Sequence, residues 1–421
     1  MEESQVIQAL VWLAYTITLY SVIYWILIYL EDEGGEREVP KRKKPRTWPT
    51  LTVIIPAYNE ERSLQKTIDS VRALNYPEKK LDVVVVDDGS KDNTKKIGSA
   101  AAKKHANVRF IHQHNQGKAA ALNHALKKTR SKYFACLDAD SFVEPASAKA
   151  MIESFEADDE LEICTPVMLI DQPKNFIQKF QRLEYLAGMF LVRLMASIDS
   201  NYVAPGPFSM YRTQTIKDIG GFDEDNLVED QEIAYRIQVH HKKIRQVPDA
   251  RVHTIGPDTF KKLRRQRNRW MKGSLLNIIQ YRKLLFNKEY GDFGSYMMPI
   301  TLSAFLLAII ALTAFLYYTL VPLAQWIRDL WLVGFDIQTL LANMTWNFSL
   351  LDPNYLQLYI IWLLLLGGTT VVYLSSRTYS KRIREYGSIY ILPYFFVYFL
   401  MLSIITVEVL IEVALKKKQK W

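Results

Sequence analysis

The chain has 421 residues, room for two or three folding units, and its 49% apolar content excludes a disordered polymer. Its 53 Lys and Arg outnumber 44 Asp and Glu by nine, yet the mean hydropathy is near zero beside nine Trp, 24 Tyr and 19 Phe. That average hides a charged population and an apolar one, which excludes a wholly soluble protein.

In chain order, four segments lack charge: Val6 to Leu30 (25 residues), Phe293 to Ile327 (35), Pro353 to Ser376 (24) and Tyr386 to Val407 (22). Each is long enough to cross about 30 Å of hydrocarbon. The first opens with Glu2 and Glu3 rather than a basic region, and no small-residue cleavage site follows, so it reads as a retained span and not a signal peptide. The expected organisation is an N-terminal membrane helix at 1–30, a charged linker at 31–48, a soluble α/β domain at 49–255, an amphipathic interfacial helix at 256–290 and a membrane region of about three spans at 291–421.

Lys41, Arg42, Lys43, Lys44 and Arg46 follow the first span, and Arg377, Lys381, Arg382 and Arg384 fill the last inter-span loop. This bias puts the soluble domain in the cytoplasm, with the protein a multi-pass component of the plasma membrane. Four simple crossings, however, would leave the basic tail Lys416, Lys417, Lys418 and Lys420 outside. Either the stretch from Trp326 to Trp346 adds a crossing or re-entrant piece, or the last span does not cross simply. Two glycosylation-type triplets, at Asn343 and Asn347, lie near that stretch and suit an external loop.

Within the soluble domain, Leu51 to Pro56, Leu81 to Val86, Val108 to His112 and Tyr133 to Leu137 read as strands. They alternate with helices at Glu61 to Leu74, Asn93 to His105, Lys118 to Thr129 and Pro145 to Phe155. Continuous Val and Ile runs in a βαβα order predict a parallel sheet covered on both faces. Ligands bind such sheets outside the carboxyl ends of the strands. Two later stretches, Phe176 to Ile198 and Asp258 to Ile279, are basic and apolar at helical spacing and suit the surface of an anionic membrane. Cys136 and Cys164 sit in apolar runs and read as buried thiols.

Asp138-x-Asp140 follows Tyr-Phe-Ala-Cys-Leu, which puts two carboxylates at a strand end where they can hold a divalent cation on a diphosphate. The same spacing at Asp223 and Asp225 follows no strand. Taken singly, Asp87-Asp88 and Glu229-Asp230 are equally consistent with solvated surface acids.

The ordered set is more specific. Ile-Pro-Ala-Tyr-Asn-Glu-Glu, Asp-Asp-Gly-Ser, Gly-Lys-Ala-Ala-Ala-Leu-Asn, Asp-Ala-Asp, Gly-Pro-Phe-Ser-Met-Tyr-Arg, Val-Glu-Asp-Gln-Glu and Gln-Arg-Asn-Arg-Trp succeed one another between about Leu51 and Leu276. This pattern resembles the family 2 glycosyltransferases, in particular their membrane-embedded branch of hyaluronan, chitin, cellulose and poly-N-acetylglucosamine synthases. The resemblance implies a GT-A-type, Rossmann-like domain with a mostly parallel sheet.

The resemblance also implies residue roles. Tyr58, Glu60 and Asp88 would hold the base and ribose, with Asp138 nearby, and Lys118 would meet the diphosphate. Asp140, with Asp138, would bind Mg²⁺ or Mn²⁺; His253 is a candidate third ligand, or a core or surface histidine. Asp230, beside Glu229, would be the general base of an inverting transfer. Gln266, Arg269 and Trp270 form a Q-x-x-R-W motif in which Arg269 meets diphosphate oxygens and Trp270 stacks on a sugar, or else anchors at the membrane surface. Gly206, Pro207 and Phe208 would floor the acceptor site, or form a structural turn.

Two acceptors are compatible with these motifs: the end of a growing β-linked polysaccharide passed across the membrane, or a membrane lipid that receives one sugar. UDP-N-acetylglucosamine is the expected UDP-sugar donor. A basic tether for nucleic acid or anionic lipid would account for the charge but for none of the acidic and glycine motifs, so no nucleic-acid partner is expected. Nothing in the sequence fixes the oligomeric state.

Overall fold

A computed structural model describes residues 2–34, 42–332, 334, 355–379 and 390–417. The Asn343 and Asn347 triplets, the bases Lys41, Lys381, Arg382 and Arg384, and the last tail lysines Lys418 and Lys420 lie outside these described residues.

Eight strands form one mixed sheet: β1 Leu51–Ala57, β2 Leu81–Asp88, β3 Val108–Gln113, β4 Tyr133–Cys136, β5 Ser141–Val143, β6 Leu161–Ile170, β7 Met210–Arg212 and β8 Lys243–Thr254, in the order β3-β2-β1-β4-β7-β6-β8-β5. The half that the βα alternation predicts is parallel. β1 lies between β2 and β4 with Leu51 opposite Leu81 and Tyr133, and β2 pairs with β3. The other half is mixed, since β7 runs antiparallel to β4 and β6, β5 runs antiparallel to β8, and β6 is parallel to β8. Four of the seven pairings are parallel, in keeping with the mostly parallel sheet that the resemblance implies.

Successive strand residues enter opposite layers. Val53, Ile55, Val83 and Val85 pack under α2 (Leu64–Arg72), α3 (Thr94–Lys104), α5 (Ser147–Phe155) and α6 (Phe176–Ser197). Ile54, Val84, Val86 and Phe134 pack under α4 (Lys118–Lys128), α7 (Thr213–Asp218) and α8 (Glu229–Val239). Burial on both faces explains why these strands read as unbroken apolar runs. Cys136 and Cys164 are buried free thiols.

Among the described residues, four helices are long and apolar enough to cross a membrane. They are α1 (Glu2–Gly34), α10 (Met298–Leu332, entered through a π-helical turn at Phe293–Met297), α11 (Tyr355–Thr378) and α12 (Phe399–Ala414, entered through a π-helical turn at Tyr394–Tyr398). The helix α6, expected at the membrane surface, is instead largely buried between the sheet and α1 and α11. Its Arg193 pairs with Asp32 at the end of α1, 2.7 Å away.

α9 (Phe260–Gln280) begins at a cap where the Thr259 hydroxyl accepts from the Lys262 amide, and it keeps Lys261, Lys262, Arg264 and Arg265 exposed. It runs beside α12, where Arg264 pairs with Glu408 and Lys272 with Glu412 (3.2 Å). These partners let the last helix continue past Val407, where the charge-free run ends. Tyr390, ahead of this helix, meets Lys179 of α6 (3.1 Å), and the carbonyl of Lys417 behind it accepts from Lys272 (2.8 Å). Both ends of the last apolar helix thus contact helices of the soluble unit. Most of the stretch from Trp326 to Trp346, one of the two alternatives for the basic tail, lies outside the described residues.

Candidate active site

The site lies where the chain leaves the middle of the sheet. After β4 the backbone turns through Asp138-Ala139-Asp140, with the Ser141 amide donating to the Asp138 carbonyl (3.0 Å), and enters β5 at the far edge of the sheet. A polar cavity of about 220 Å³ opens there. Its lining includes Tyr58, Glu60, Asp88, Lys118, Asp138, Asp140 and Arg269, so seven of the residues singled out from sequence meet in one place.

Those that follow the strands come from loops with their own fastenings. After β1, Tyr58 stays 44% exposed at the rim, and the Glu60 carboxylate accepts from the Ser63 hydroxyl (2.5 Å). After β2, Asp88 is buried, and its two oxygens accept from Gln113 Nε2 and from the amides of Gln116 and Gly117, each at 2.9 Å. Asp88 thereby fixes the loop that delivers Lys118 at the start of α4. A carboxylate has about four acceptor positions, so one is left toward the cavity.

Lys118 is the hub of the charges. Its Nζ lies 2.6 Å from Asp138 Oδ1 and 2.9 Å from Glu229 Oε1, which joins α4, the β4–β5 turn and the start of α8. Burial opposes its charge, but Asp138 and Glu229 hold the ammonium well above its ordinary range. Gly206 covers this pair. A Cβ there would stand 2.4 Å from Lys118 Nζ and within 2.9 Å of both Asp138 oxygens. The residue must be glycine for close approach, which neither a turn nor a floor alone would require. Phe208, two residues on, is buried with a positive φ of 63° and donates its amide to the Cys136 carbonyl (2.7 Å). Pro207 lies between them.

The carboxylates divide into two kinds. Burial pushes Glu229 up, but Lys118 and Arg269 outweigh it and hold the group below its usual range. Burial and then the neighbouring Glu229 push Asp230 up to about 6, against the pull of Lys118 and Arg269. Burial, Asp138 and Glu60 raise Asp140 to about 7. A base that titrates near neutrality therefore lies beside two cations.

The Q-x-x-R-W segment falls on α9, where Arg269 lines the cavity but Trp270 packs inward against the core. The Arg267 guanidinium lies 4.3 Å from the Trp270 ring centroid, and Tyr185 is a tilted neighbour at 6.5 Å. Arg267 also donates to Gln266 Oε1 (2.5 Å). It is 2% exposed, pairs with Glu184 of α6 and meets the Tyr398 hydroxyl at 3.4 Å. Sequence reasoning passed over Arg267, Glu184 and Tyr398, although a Glu inside the apolar run of α6 signals a buried cation. His253 lies on β8 opposite Phe142, with Nε2 2.8 Å from Glu144 Oε1, and does not line the cavity.

Residues 52–220 match the profile of glycosyl transferase family 2. The chain is 28% identical over 263 residues to a poly-β-1,6-N-acetyl-D-glucosamine synthase of Staphylococcus epidermidis, covering 61% of this chain and 63% of that one. It is 28% identical over 225 residues to the synthase of the same name in Staphylococcus aureus strain COL, 53% and 54% of the two chains. The matches thus span less than two thirds of these relatives. In fold, the chain resembles the mannosyltransferase PcManGT of Pyrobaculum calidifontis in complex with GDP-mannose and Mn²⁺, with a TM-score of 0.61 and 17% identity over 98% of this chain and 99% of that one. The chain thus carries a glycosyl transferase family 2 domain at residues 52–220, within a GT-A-like sheet and, among the described residues, beside four long apolar helices.

Proposed function

We propose that the enzyme transfers a sugar, with inversion, from a nucleoside diphosphate donor to an acceptor hydroxyl presented where the soluble unit meets the membrane. The observation that carries this reading is Lys118 between Asp138 and Glu229, on a cavity that also holds Asp140 and Arg269. Tyr58, Glu60 and Asp88 hold the base and ribose. Lys118 and Arg269 take the diphosphate, which would draw Lys118 away from its carboxylates. Asp230, raised to about 6, accepts the acceptor's proton. The acceptor oxygen bonds to C1, and the C1–O bond to the diphosphate breaks with its electron pair going to the nucleotide.

Asp138 and Asp140 suit a divalent cation, because their mutual repulsion, which raises Asp140, is relieved by one. Held by Asp138 and Asp140, Mg²⁺ or Mn²⁺ would supply neutralisation of the departing charge. His253 is engaged by Glu144 and takes no part in this proposal.

The bacterial relatives are named for a polymer of N-acetylglucosamine, which supports UDP-N-acetylglucosamine as donor and a growing polysaccharide as acceptor. GDP-mannose, bound by the archaeal neighbour, is the competing donor. Transfer of one sugar to a membrane lipid is the second reading, and the lining of the membrane helices, described below, favours it. The bases after α1, the bases after α12 and Arg377 at the end of α11 all flank helix ends that meet the soluble unit, which supports a cytoplasmic placement. Turnover in membranes with Mn²⁺ against UDP- and GDP-sugars, with sizing and extraction of the product, tests the donor and separates polymer from glycolipid. Release of sugar from none of them contradicts the proposal.

A further inference from the structure

A second, larger cavity of about 720 Å³ lies among the apolar helices. All four contribute to its lining, through residues such as Val11, Ala314 and Gly368, and so do Ala187 and Leu191 of α6. Among the described residues no charged or amide side chain lines it; its few polar groups are the Trp25 indole and hydroxyls such as those of Tyr15, Tyr318 and Thr319, and the Thr18 hydroxyl is spent on its own helix, at the Ala14 carbonyl (2.8 Å). An adjoining apolar space of about 560 Å³ shares Phe315, Phe395, Phe396 and Phe399 with it and reaches Phe260 at the start of α9. A hydrated sugar chain, with several hydroxyls on every ring, would leave most of them unpaired against such walls, at a heavy desolvation cost. A hydrocarbon chain would not. At about the 30 Å³ that a water takes in the liquid, the main cavity has room for on the order of twenty methylene groups.

The cavity is joined to the chemistry by one chain of contacts. Tyr398 lines it, and its hydroxyl meets Glu184 Oε2 at 2.7 Å. Glu184 pairs with Arg267, Arg267 covers Trp270, and the preceding Arg269 lines the polar cavity. A lipid seated between the helices would therefore present its head group toward Arg269 and Asp230. Asp230 lies near Arg269, while the Glu229 charge is taken up by Lys118, so a neutral hydroxyl brought there meets a carboxylate that can take its proton.

We infer that the cavity between the membrane helices binds the hydrocarbon chain of a neutral, hydroxyl-bearing lipid of the diacylglycerol kind, which is the acceptor. This deepens the second reading of the proposed function and rests on it. The head-group O–H loses its proton to Asp230, its oxygen bonds to C1 of the sugar, and the nucleoside diphosphate leaves with the electrons of the broken C1–O bond.

The test uses the full chain in phosphatidylcholine vesicles with a diazirine-bearing diacylglycerol and labelled UDP-N-acetylglucosamine. Photolabelling should fall on the 307–319 and 394–402 segments, and sugar should move into the organic phase. Ala314→Trp, which fills the cavity, should cut both at least fivefold while hydrolysis of the donor without acceptor is unchanged. Leu316→Trp, on an exposed side chain outside the lining, should change none of these. The inference is overturned if labelling is confined to exposed positions such as Leu316 and Trp362 or ignores Ala314→Trp. It is equally overturned if only an isoprenyl phosphate analogue accepts sugar, or if the product is an oligosaccharide that Ala314→Trp shortens. Should the donor not turn over at all, the functional reading fails, while the labelling pattern still decides for or against the cavity.

Discussion

Lys118 holds two carboxylates in place, and Gly206 leaves room for that pair and for nothing larger. Gly206→Ala would drive its methyl group onto the ammonium and Asp138. UDP affinity measured by calorimetry should fall about tenfold or more with the thermal midpoint little changed, and unaltered affinity would mean that Lys118 does not meet the nucleotide. Asp140→Ala should abolish the Mn²⁺ dependence of UDP binding; retained dependence would remove the cation from Asp138 and Asp140. Asp230 bears on pH. Its folded-state value, raised to about 6, means that it carries a proton below that pH and cannot accept another. Transfer should therefore fall tenfold per unit as pH drops below about 6 and level off above it. A profile flat to pH 4.5 would place the proton elsewhere.

At the scale of elements, α9 carries the account. It brings Arg269 to the cavity, and with Arg264, Arg267 and Lys272 it binds α6 and α12. Gly273 lets it lie close to the loop ahead of Asp230, since a Cβ there would stand 2.3 Å from a Val228 methyl. Arg267→Met keeps the volume but strips Glu184 of its cation, and breaking a buried pair costs roughly 3–5 kcal/mol. Glu184 is partly solvated, which favours the lower end, so a drop of several degrees in the melting midpoint in detergent is expected. An unchanged midpoint would show that the pair does not fasten α9. The motif was legible in sequence but its division of labour was not. The second and fifth positions, Arg267 and Trp270, face one another, and the fourth, Arg269, lines the polar cavity. Helical phase alone cannot tell which neighbour supplies the partner.

Across the whole molecule, the half of the sheet before Asp138 was readable because its strands are pure Val and Ile runs followed by turn residues. The half after it was not. β6 carries Pro166 beside a register shift, and β8 carries Pro248 among charged residues, so both read as loops until a partner strand is in place. The surroundings of His253 were hidden for that reason, since only the pairing of β5 with β8 reveals Glu144 as its neighbour. The end of the last apolar helix was hidden in the same way, because Glu408 and Glu412 enter it with bases supplied by α9. The most direct test of the central claim compares Asp230→Asn with the unaltered protein in vesicles, by transfer of labelled sugar and by UDP titration with Mn²⁺. A general base contributes on the order of 10²- to 10⁴-fold, so transfer should fall by that factor with UDP affinity within a few-fold. Retained transfer, or UDP binding lost together with transfer, would contradict Asp230 as the base of an inverting glycosyl transfer.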